Sequence, residues 1–201
     1  MEIRFFTKRA VAGAFGAAAM LLAGAAQAAL QDRDLNGDLV TDAFYDTDLK
    51  ITWLRDANVN GQMDWNTAVS WADGFSFGGY NDWRLPTSDT CDGSFCASSE
   101  MGHLWYTELG NSAPGPMTNT GNFQSLQSGL YWSGRDGFPG SNSAYGFHTS
   151  NGFQTQVGWA TPGHGMAVRP GDVAAIPEPE TYALMLAGLA GLALARRQRR
   201  R

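Results

Sequence analysis

The spacing of apolar residues along the chain predicts two helices. In the first, apolar side chains recur every three or four residues, at Trp65, Ala68, Val69 and Ala72. In the second, predicted over residues 99–109, they share one face at Met101, Leu104, Trp105 and Leu109. Residues suited to helix caps flank both: Asp64 and Gly74 for the first, Ser98 and Gly110 for the second.

Shorter runs predict strands, at residues 50–54, 130–133, 144–149, 153–157 and 166–169. Asn151-Gly152 is a typical hairpin turn, so the two strands that flank it should pair antiparallel. Period-two spacing places Tyr145, Phe147 and Thr149 on one face of the first of these strands, and Phe153, Thr155 and Val157 on one face of the second. Residues 111–128 are predicted to be loop. The order of elements predicts an α+β fold with two helices and a small antiparallel sheet.

The chain ends in a short membrane-directed tail. An apolar segment at residues 181–195 follows a proline-rich stretch and precedes the basic residues 196–201. A helix over most of this segment would be about 21 Å long, which is short for a bilayer core of about 30 Å. The arginines predict that the tail's end is cytoplasmic. The alternative, an amphipathic helix of a soluble domain, is disfavoured because the run has no polar face.

Pro177, Glu178 and Pro179 precede this tail, and the three parts together resemble the PEP-CTERM sorting signal of exported bacterial proteins. The resemblance implies that an exosortase recognises these three residues and that the following helix and basic end are removed. It also implies a Gram-negative host that makes extracellular polysaccharide. The protein should therefore cross the inner membrane, be anchored there transiently, and reach the cell surface or the extracellular matrix.

The start of the chain has the pattern of a secretory signal peptide. Arg4, Lys8 and Arg9 precede a small-residue apolar stretch at residues 10–26, and Ala26-Gln27-Ala28 fits a cleavage site. We expect signal peptidase to remove residues 1–28. The alternative is an uncleaved anchor.

The charge balance bears on the class of partner. Residues 29–176 contain six Lys and Arg against sixteen Asp and Glu, which leaves −10, although the whole chain is at −5. An acidic exported domain repels nucleic acid and attracts divalent cations. We divide this part into an acidic N-terminal segment at residues 29–43, one domain at 44–172 and a linker at 173–180.

Cys91 and Cys96 are the two cysteines of the chain. In an exported protein a disulfide is their expected state, closing a ring that contributes about 2 kcal/mol in the chain-entropy treatment. Zinc is the alternative, but further ligands at zinc-site spacing are not found nearby.

Residues 78–87, GGYNDWRLPT, resemble a known family pattern. With the W-x-x-A helix before it, Tyr131-Trp132-Ser133 and Val168-Arg169 after it, the set resembles the Lcl C-terminal-domain family. Arg-Leu-Pro-Thr is also similar to the formylglycine-generating enzymes and their C-type-lectin-like scaffold. The resemblance implies a C-type-lectin-like α+β fold. It does not carry over that enzyme activity, because Cys91 and Cys96 lie too early in the chain.

Within this motif, Asp82, Trp83 and Arg84, together with Arg169, are expected to pin the fold. Arginines beside apolar residues need carboxylate or carbonyl partners once buried. Candidate partners are the carboxylates of Asp82, Asp56 and Asp73. The alternative is that the arginines contact a ligand.

Two stretches place oxygen ligands at alternate positions, as in the first half of a calcium loop. The first set is Asp32, Asp34, Asn36, Asp38 and Asp42, and the second is Asp56, Asn58 and Asn60. Both lack the glutamate that ends a complete loop. Calcium is therefore one interpretation, and Asx turns that need no metal are the other.

Seven tryptophans could stack on sugars or fill a core. Trp53, Trp65, Trp105 and Trp132 fall on predicted buried faces, whereas Trp71 and Trp159 are less clearly placed. Trp159, in the late loops, is the position at which we expect contact with glycan.

Enzyme signatures are thin. Glu100 and His103 share a helix face, but a single pair of this kind is weak evidence for a metal site, and no nucleophile elbow or phosphate loop occurs. We therefore expect a non-enzymatic protein that binds extracellular polysaccharide. The alternatives are an extracellular enzyme acting on glycan or protein, and a structural coat protein.

Overall fold

The computed structural model describes residues 30–173, together with positions 186, 187 and 189. The predicted signal peptide, the Pro177-Glu178-Pro179 motif, the rest of the apolar segment 181–195 and the basic end 196–201 lie outside the described residues. Among the residues that are described, none of the helices has the length and apolar character needed to cross a membrane.

The described part of the chain is strand-rich α+β. Its strands are β1 (Gln31–Arg33), β2 (Ala43–Asp46), β3 (Ile51–Leu54), β4 (Gln62–Met63), β5 (Gly93–Ser94), β6 (Leu130–Asp136), β7 (Ser143–His148), β8 (Phe153–Gly158), β9 (Gly163–His164) and β10 (Val168–Pro170). Its helices are α1 (Trp65–Gly74) and α2 (Glu100–His103), and α2 continues into a π-helical turn over Leu104–Glu108.

The strands form two sheets. The first has the order β1-β2-β3-β10, and every pair in it is antiparallel. The second has the order β4-β9-β6-β7-β8-β5, antiparallel except for β6 and β9. A bridge between Arg84 and Val168 attaches the GGYNDWRLPT segment to the edge of the first sheet.

The first predicted helix is confirmed, but Gly74 is its last residue and Phe75, not Gly74, is its C-cap. Asp64 caps it by accepting a hydrogen bond from the Thr67 backbone N–H, and Ala68 and Ala72 are buried on its inner face. These alanines let the helix lie close to the second sheet, where α1 packs against Leu130 and Trp132.

The second predicted helix exists but differs in detail. Its cap is Ser99 rather than Ser98, because the Ser99 side chain accepts the Gly102 N–H. Only the first turn is α-helical. The Leu109 N–H then donates to the Leu104 carbonyl, five residues back, which gives the π-helical turn.

The hairpin at Asn151-Gly152 is confirmed, with β7 and β8 paired antiparallel from Ser143 opposite Gly158 to His148 opposite Phe153. The prediction began β3 one residue early, because Lys50 adopts a φ of 55° in the preceding turn. It began β10 two residues early, although Met166 and Ala167 are fully buried.

Five short strands were not predicted, and one of them changes the expected domain boundary. β1 lies inside the acidic segment 29–43 and pairs with β2, from Gln31 opposite Tyr45 to Arg33 opposite Ala43. The acidic segment therefore forms an edge of the first sheet rather than an appendage to the domain.

The core lies on both faces of the second sheet. Tyr131 and Phe147 face a cluster that includes Trp53 and Trp105, and Trp132 and Ala144 face the cluster beneath α1. All four side chains of β3 are buried, since β3 is a central strand covered on both sides. This covering is why β3 shows no exposed face.

Candidate functional site

Trp159 lines an open groove of about 780 Å³ at the end of β8. Its other lining residues are mostly polar or small, namely Asp64, Asn66, Asn142, Gly158, Ala160, Thr161 and Pro162. The Trp159 side chain is half-buried, which contrasts with Trp53, Trp83, Trp105 and Trp132 in the core. The prediction of core positions is confirmed for Trp53, Trp105 and Trp132, whereas Trp65, predicted with them, is only half-buried.

The Trp159 ring is held in a fixed position. It stacks on Trp65 with ring centroids 5.4 Å apart and an interplanar angle of 15°. The Trp65 backbone N–H donates to the Trp159 carbonyl at 2.9 Å, and the Trp159 backbone N–H donates to the Asn142 carbonyl at 3.0 Å. Trp65 itself donates its ring N–H to the Ser133 carbonyl at 2.8 Å. The groove is therefore built from the start of α1, the residue before β7 and the residues at and after the end of β8.

Asp64 gives one rim of the groove a negative charge. Hydrogen bonds from the Thr67 backbone N–H and hydroxyl lower the pKa of the Asp64 carboxyl below its usual range. The other polar groups on the rim, from Asn66, Asn142 and Thr161, are neutral donors and acceptors.

Arg169 pairs with Asp82, one of the three carboxylates considered from the sequence. The guanidinium donates to both Asp82 oxygens, at 2.8 and 2.9 Å, and lies 4.1 Å from the centre of the Tyr80 ring. Arg169 is buried while Asp82 is partly exposed. The hydrogen bond from Arg169 lowers the pKa of the Asp82 carboxyl.

Arg84 pairs with Glu100, a partner that the sequence analysis missed. Its guanidinium donates to the two Glu100 oxygens at 2.7 and 2.8 Å, and the Thr87 N–H donates to one of them at 2.7 Å. Arg-Leu-Pro-Thr thus binds the first residue of α2, which gives this motif a structural role. Trp83, which lies between Asp82 and Arg84 in the sequence, is buried in a cluster with Leu54 and Val173.

Asp56 and Asp73, the other suggested partners of the arginines, do not pair with them. Asp56 accepts the Asn58 N–H at 3.0 Å, and Asp73 is exposed on α1. A third bidentate pair, Arg33 with Asp172 at 2.7 and 2.9 Å, joins β1 to the end of the domain. Its partners are 139 positions apart, so local spacing could not have revealed it.

The first calcium set is only partly brought together. Carboxylate oxygens of Asp34, Asp38 and Asp42 lie within 4.8 Å of one another. Asp32 instead accepts the Thr41 hydroxyl, and Asn36 accepts the Asp38 N–H. Both oxygens of Asp34 accept backbone N–H groups of its own loop, which is the Asx-turn arrangement. Calcium binding here stays a prediction.

The second calcium set forms a turn in which Asp56 and Asn58 have protein partners. Asp56 accepts the Asn58 N–H, and the Asn58 side-chain oxygen lies 2.7 Å from His164 Nδ1. Asn60 is exposed. Calcium at this turn also stays a prediction, and the Asx-turn alternative accounts for its contacts.

Cys91 and Cys96 form a disulfide, as predicted, with their Cα atoms 5.7 Å apart. The ring contains β5, which pairs with β8 at the edge of the second sheet. The buried Gln154 side chain donates to the Cys91 carbonyl at 2.8 Å and to Asp89 at 3.0 Å. The disulfide therefore holds an edge strand against the hairpin.

Glu100 and His103, considered as a metal pair, do not act together. Glu100 binds Arg84, whereas His103 lies 3.2 Å from Glu108 and 3.7 Å from Asp46. Burial, and then the neighbouring Asp46 carboxylate, raise the pKa of the Glu108 carboxyl, while His103 opposes the shift. Asp46 was missed because it meets His103 only through the tertiary fold, and Glu108 was missed because it meets His103 only through the unpredicted π-helical turn.

The protein is of the strand-rich α+β class, and a disulfide and ion pairs around Asp-Trp-Arg-Leu-Pro-Thr stabilise its domain. The chain belongs to the Lcl C-terminal domain family, which matches residues 42–170. Residues 175–201 match the PEP-CTERM protein-sorting motif. A search of curated proteins finds no match. The sorting motif implies that the protein is exported and is delivered by an exosortase to the cell surface or the extracellular space.

Proposed function

We propose that this protein is a non-enzymatic binding module for extracellular polysaccharide and that glycan binds in the Trp159 groove. The observation that carries the proposal is a half-buried tryptophan lining an open groove whose other side chains are mostly polar. Sugars present apolar C–H faces beside hydroxyl groups, so an aromatic ring next to amides and hydroxyls matches both parts of their surface.

The location of the protein supports the same ligand class. Exosortase sorting brings the domain to the cell surface or the extracellular space, and the resemblance of its tail implies a host that makes polysaccharide there. The acidic charge of residues 29–176 disfavours nucleic acid. We further propose that the domain has a C-type-lectin-like scaffold, with the two short helices packed around its sheets.

Binding without hydrolysis is the form of the proposal that the groove favours. Among the described residues that line it, Asp64 is the one carboxylate, and it caps α1. Glycoside hydrolysis ordinarily uses two carboxyl groups placed about 5–10 Å apart across the scissile bond. An extracellular enzyme of that kind would need a second carboxylate in this groove.

The test is a glycan array on the exported, purified protein, with and without calcium, followed by titration with the host's own polysaccharide. We expect Trp159→Ala to weaken binding by about 30-fold, the equivalent of the roughly 2 kcal/mol lost when an anchoring tryptophan is truncated. Trp159→Phe should recover part of the affinity, because it keeps an aromatic face.

The matched control is Phe153→Ala, which removes an exposed aromatic at the opposite end of the same strand. It should bind like the wild type. Wild-type affinity in Trp159→Ala would refute the groove as the site. Silence of the wild type toward all glycans, including the host's own, would refute polysaccharide binding and favour a coat protein, whereas release of shortened sugars would favour an enzyme.

A further inference from the structure

Three side chains from different elements converge at a second place in the fold. Asp46 is the last residue of β2, His103 is the last of α2, and Glu108 ends the π-helical turn. His103 Nε2 lies 3.2 Å from a Glu108 oxygen and 3.7 Å from Asp46 Oδ2. The three ligand atoms all lie within 4.8 Å of one another.

The Asp46 carboxylate is the unusual member of this group. The residue is fully buried, and its Oδ1 accepts the N–H groups of Asp48 and Leu49. Its Oδ2 is buried with no hydrogen-bond partner among the described residues. A buried carboxylate oxygen left unpaired is costly, because burial removes its water without replacing it. This oxygen faces His103 at a distance too long for a hydrogen bond.

The π-helical turn is what brings Glu108 to the site. Residues five apart on an ordinary α-helix lie about 140° apart around its axis. The hydrogen bond from Leu109 to the carbonyl five residues back widens the turn, so that Glu108 comes to lie beside His103. Widened turns of this kind inside α-helices are frequent at functional sites.

We propose that Asp46, His103 and Glu108 bind a divalent transition-metal ion of the zinc class. One imidazole nitrogen and two carboxylate oxygens are ligands that zinc accepts, whereas calcium and magnesium take oxygen ligands. Ligand atoms around a tetrahedral zinc with bonds of about 2.0–2.1 Å lie about 3.3 Å apart, between the two distances observed here.

Charge and access fit the same assignment. Two carboxylates and a neutral imidazole balance the two charges of the ion, and Asp46 Oδ2 gains the partner that it otherwise lacks. The Asp46 and Glu108 side chains are almost fully buried, but the His103 side chain is 14% exposed and gives the ion a path from solvent. Three protein ligands leave a fourth position for water or another ligand.

The test is calorimetric titration of Zn²⁺ into the exported, oxidised protein after removal of metals with a chelator, with melting temperature as a second measurement. We expect one Zn²⁺ per chain and a higher melting temperature. Glu108→Gln and Asp46→Asn keep the shape of each side chain and remove its charge. Because loss of a group that only orients a ligand costs about 10–100-fold in metal affinity, loss of a ligand should cost at least about 100-fold.

Asp48→Asn, in the exposed turn next to Asp46, and Asp34→Asn, in the acidic loop, are the controls and should bind Zn²⁺ like the wild type. Co²⁺ reports on the site directly, because tetrahedral coordination gives it an intense visible spectrum that His103→Gln should abolish. If Glu108→Gln or Asp46→Asn is misfolded before metal is added, the Co²⁺ spectra of the wild type and of His103→Gln test the proposal instead. Absence of Zn²⁺ binding to the wild type would overturn the proposal in favour of a metal-free histidine–carboxylate contact. So would Zn²⁺ binding that Asp46→Asn, Glu108→Gln and His103→Gln leave unchanged.

Discussion

Arg169 shows at the scale of single residues how the family motif stabilises the domain. Its guanidinium lies between the Asp82 carboxylate and the Tyr80 ring, and both of these residues belong to the GGYNDWRLPT segment. The same residue closes the first sheet as part of β10. The motif and the closing strand are therefore joined through one buried side chain.

Removing the Asp82 charge should leave the buried Arg169 guanidinium without its main partner. We expect Asp82→Asn to lower the free energy of unfolding by about 1–3 kcal/mol, the usual cost of leaving a buried donor unsatisfied. The measurement is chemical denaturation of wild type and variant. Asp73→Asn, an exposed carboxylate on α1, should stay within about 0.5 kcal/mol of the wild type. Equal stability of all three proteins would contradict this role for the pair.

Acid should weaken the Arg169–Asp82 and Arg33–Asp172 ion pairs. Hydrogen bonds from Arg169 and Arg33 lower the pKa values of the Asp82 and Asp172 carboxyls. Unfolded aspartates titrate near about 3.9, so this stabilisation is complete above that pH and is lost as the pH falls through the lower native pKa values. The melting temperature should fall on acidification below about pH 4. The Asp82→Asn/Asp172→Asn double variant should show a shallower fall, and an unchanged slope would rule the pairs out as the cause.

The sequence identified Arg84 and Arg169 as residues that need partners, but it did not identify all the partners. Asp82 was among the suggestions because it lies in the same motif. Glu100, the partner of Arg84, and Asp172, the partner of Arg33, were not, since these pairs depend on the tertiary fold. Trp159 was selected because it lies in a late loop, but its stacking on Trp65 could not be inferred from spacing.

At the scale of elements, the β7–β8 hairpin depends on a glycine. Gly152 has a φ of 75°, and a Cβ at this position would lie 2.5 Å from the Trp105 ring. The Tyr106 hydroxyl also donates to its carbonyl. The turn is thus packed directly on the π-helical segment.

Gly152→Ala should therefore destabilise the domain by more than about 1 kcal/mol, since left-handed backbone strain and overpacking each contribute about that amount. Gly74→Ala is the matched control, because it ends α1 with open space around its Cβ position. It should be neutral or stabilise slightly. Thermal denaturation compares the two variants, and a Gly152→Ala protein as stable as Gly74→Ala would show that the turn is not constrained in this way.

The elements with a long apolar period were predicted well, and the shortest ones were not predicted. α1 has four apolar residues on one face, and its cap was readable from Asp64. Strands of two residues such as β4, β5 and β9 are too short to show alternation, and they exist because a neighbouring strand offers them hydrogen bonds. The π-helical turn was missed because its apolar residues also fit an α-helix.

For the whole molecule, motifs predicted more than periodicity did. The Asp-Trp-Arg-Leu-Pro-Thr motif and the Pro-Glu-Pro tail indicated the two families that match residues 42–170 and 175–201. Periodicity alone predicted α+β, but it could not give two sheets or the place of β1. The Arg33–Asp172 pair brings both ends of the domain together, so the segment that leads to the sorting motif begins beside β1.

Sorting sets the conditions under which this domain folds and acts, and its recognition motif can be changed without touching the domain. Replacing Pro177, Glu178 and Pro179 by alanines should leave the precursor in the inner membrane, because the exosortase no longer recognises it. Fractionation and immunoblotting of wild-type and variant cells measure this directly. Release of the variant at the wild-type level would contradict recognition through these three residues.

The most direct test of the account is the intact mass of the protein recovered from outside the host's cells. We predict a chain that begins at Ala29, lacks the apolar segment and arginines after the Pro-Glu-Pro motif, and has the mass expected for the Cys91–Cys96 disulfide. Recovery of the full-length chain from the cytosol, with both thiols free, would contradict it.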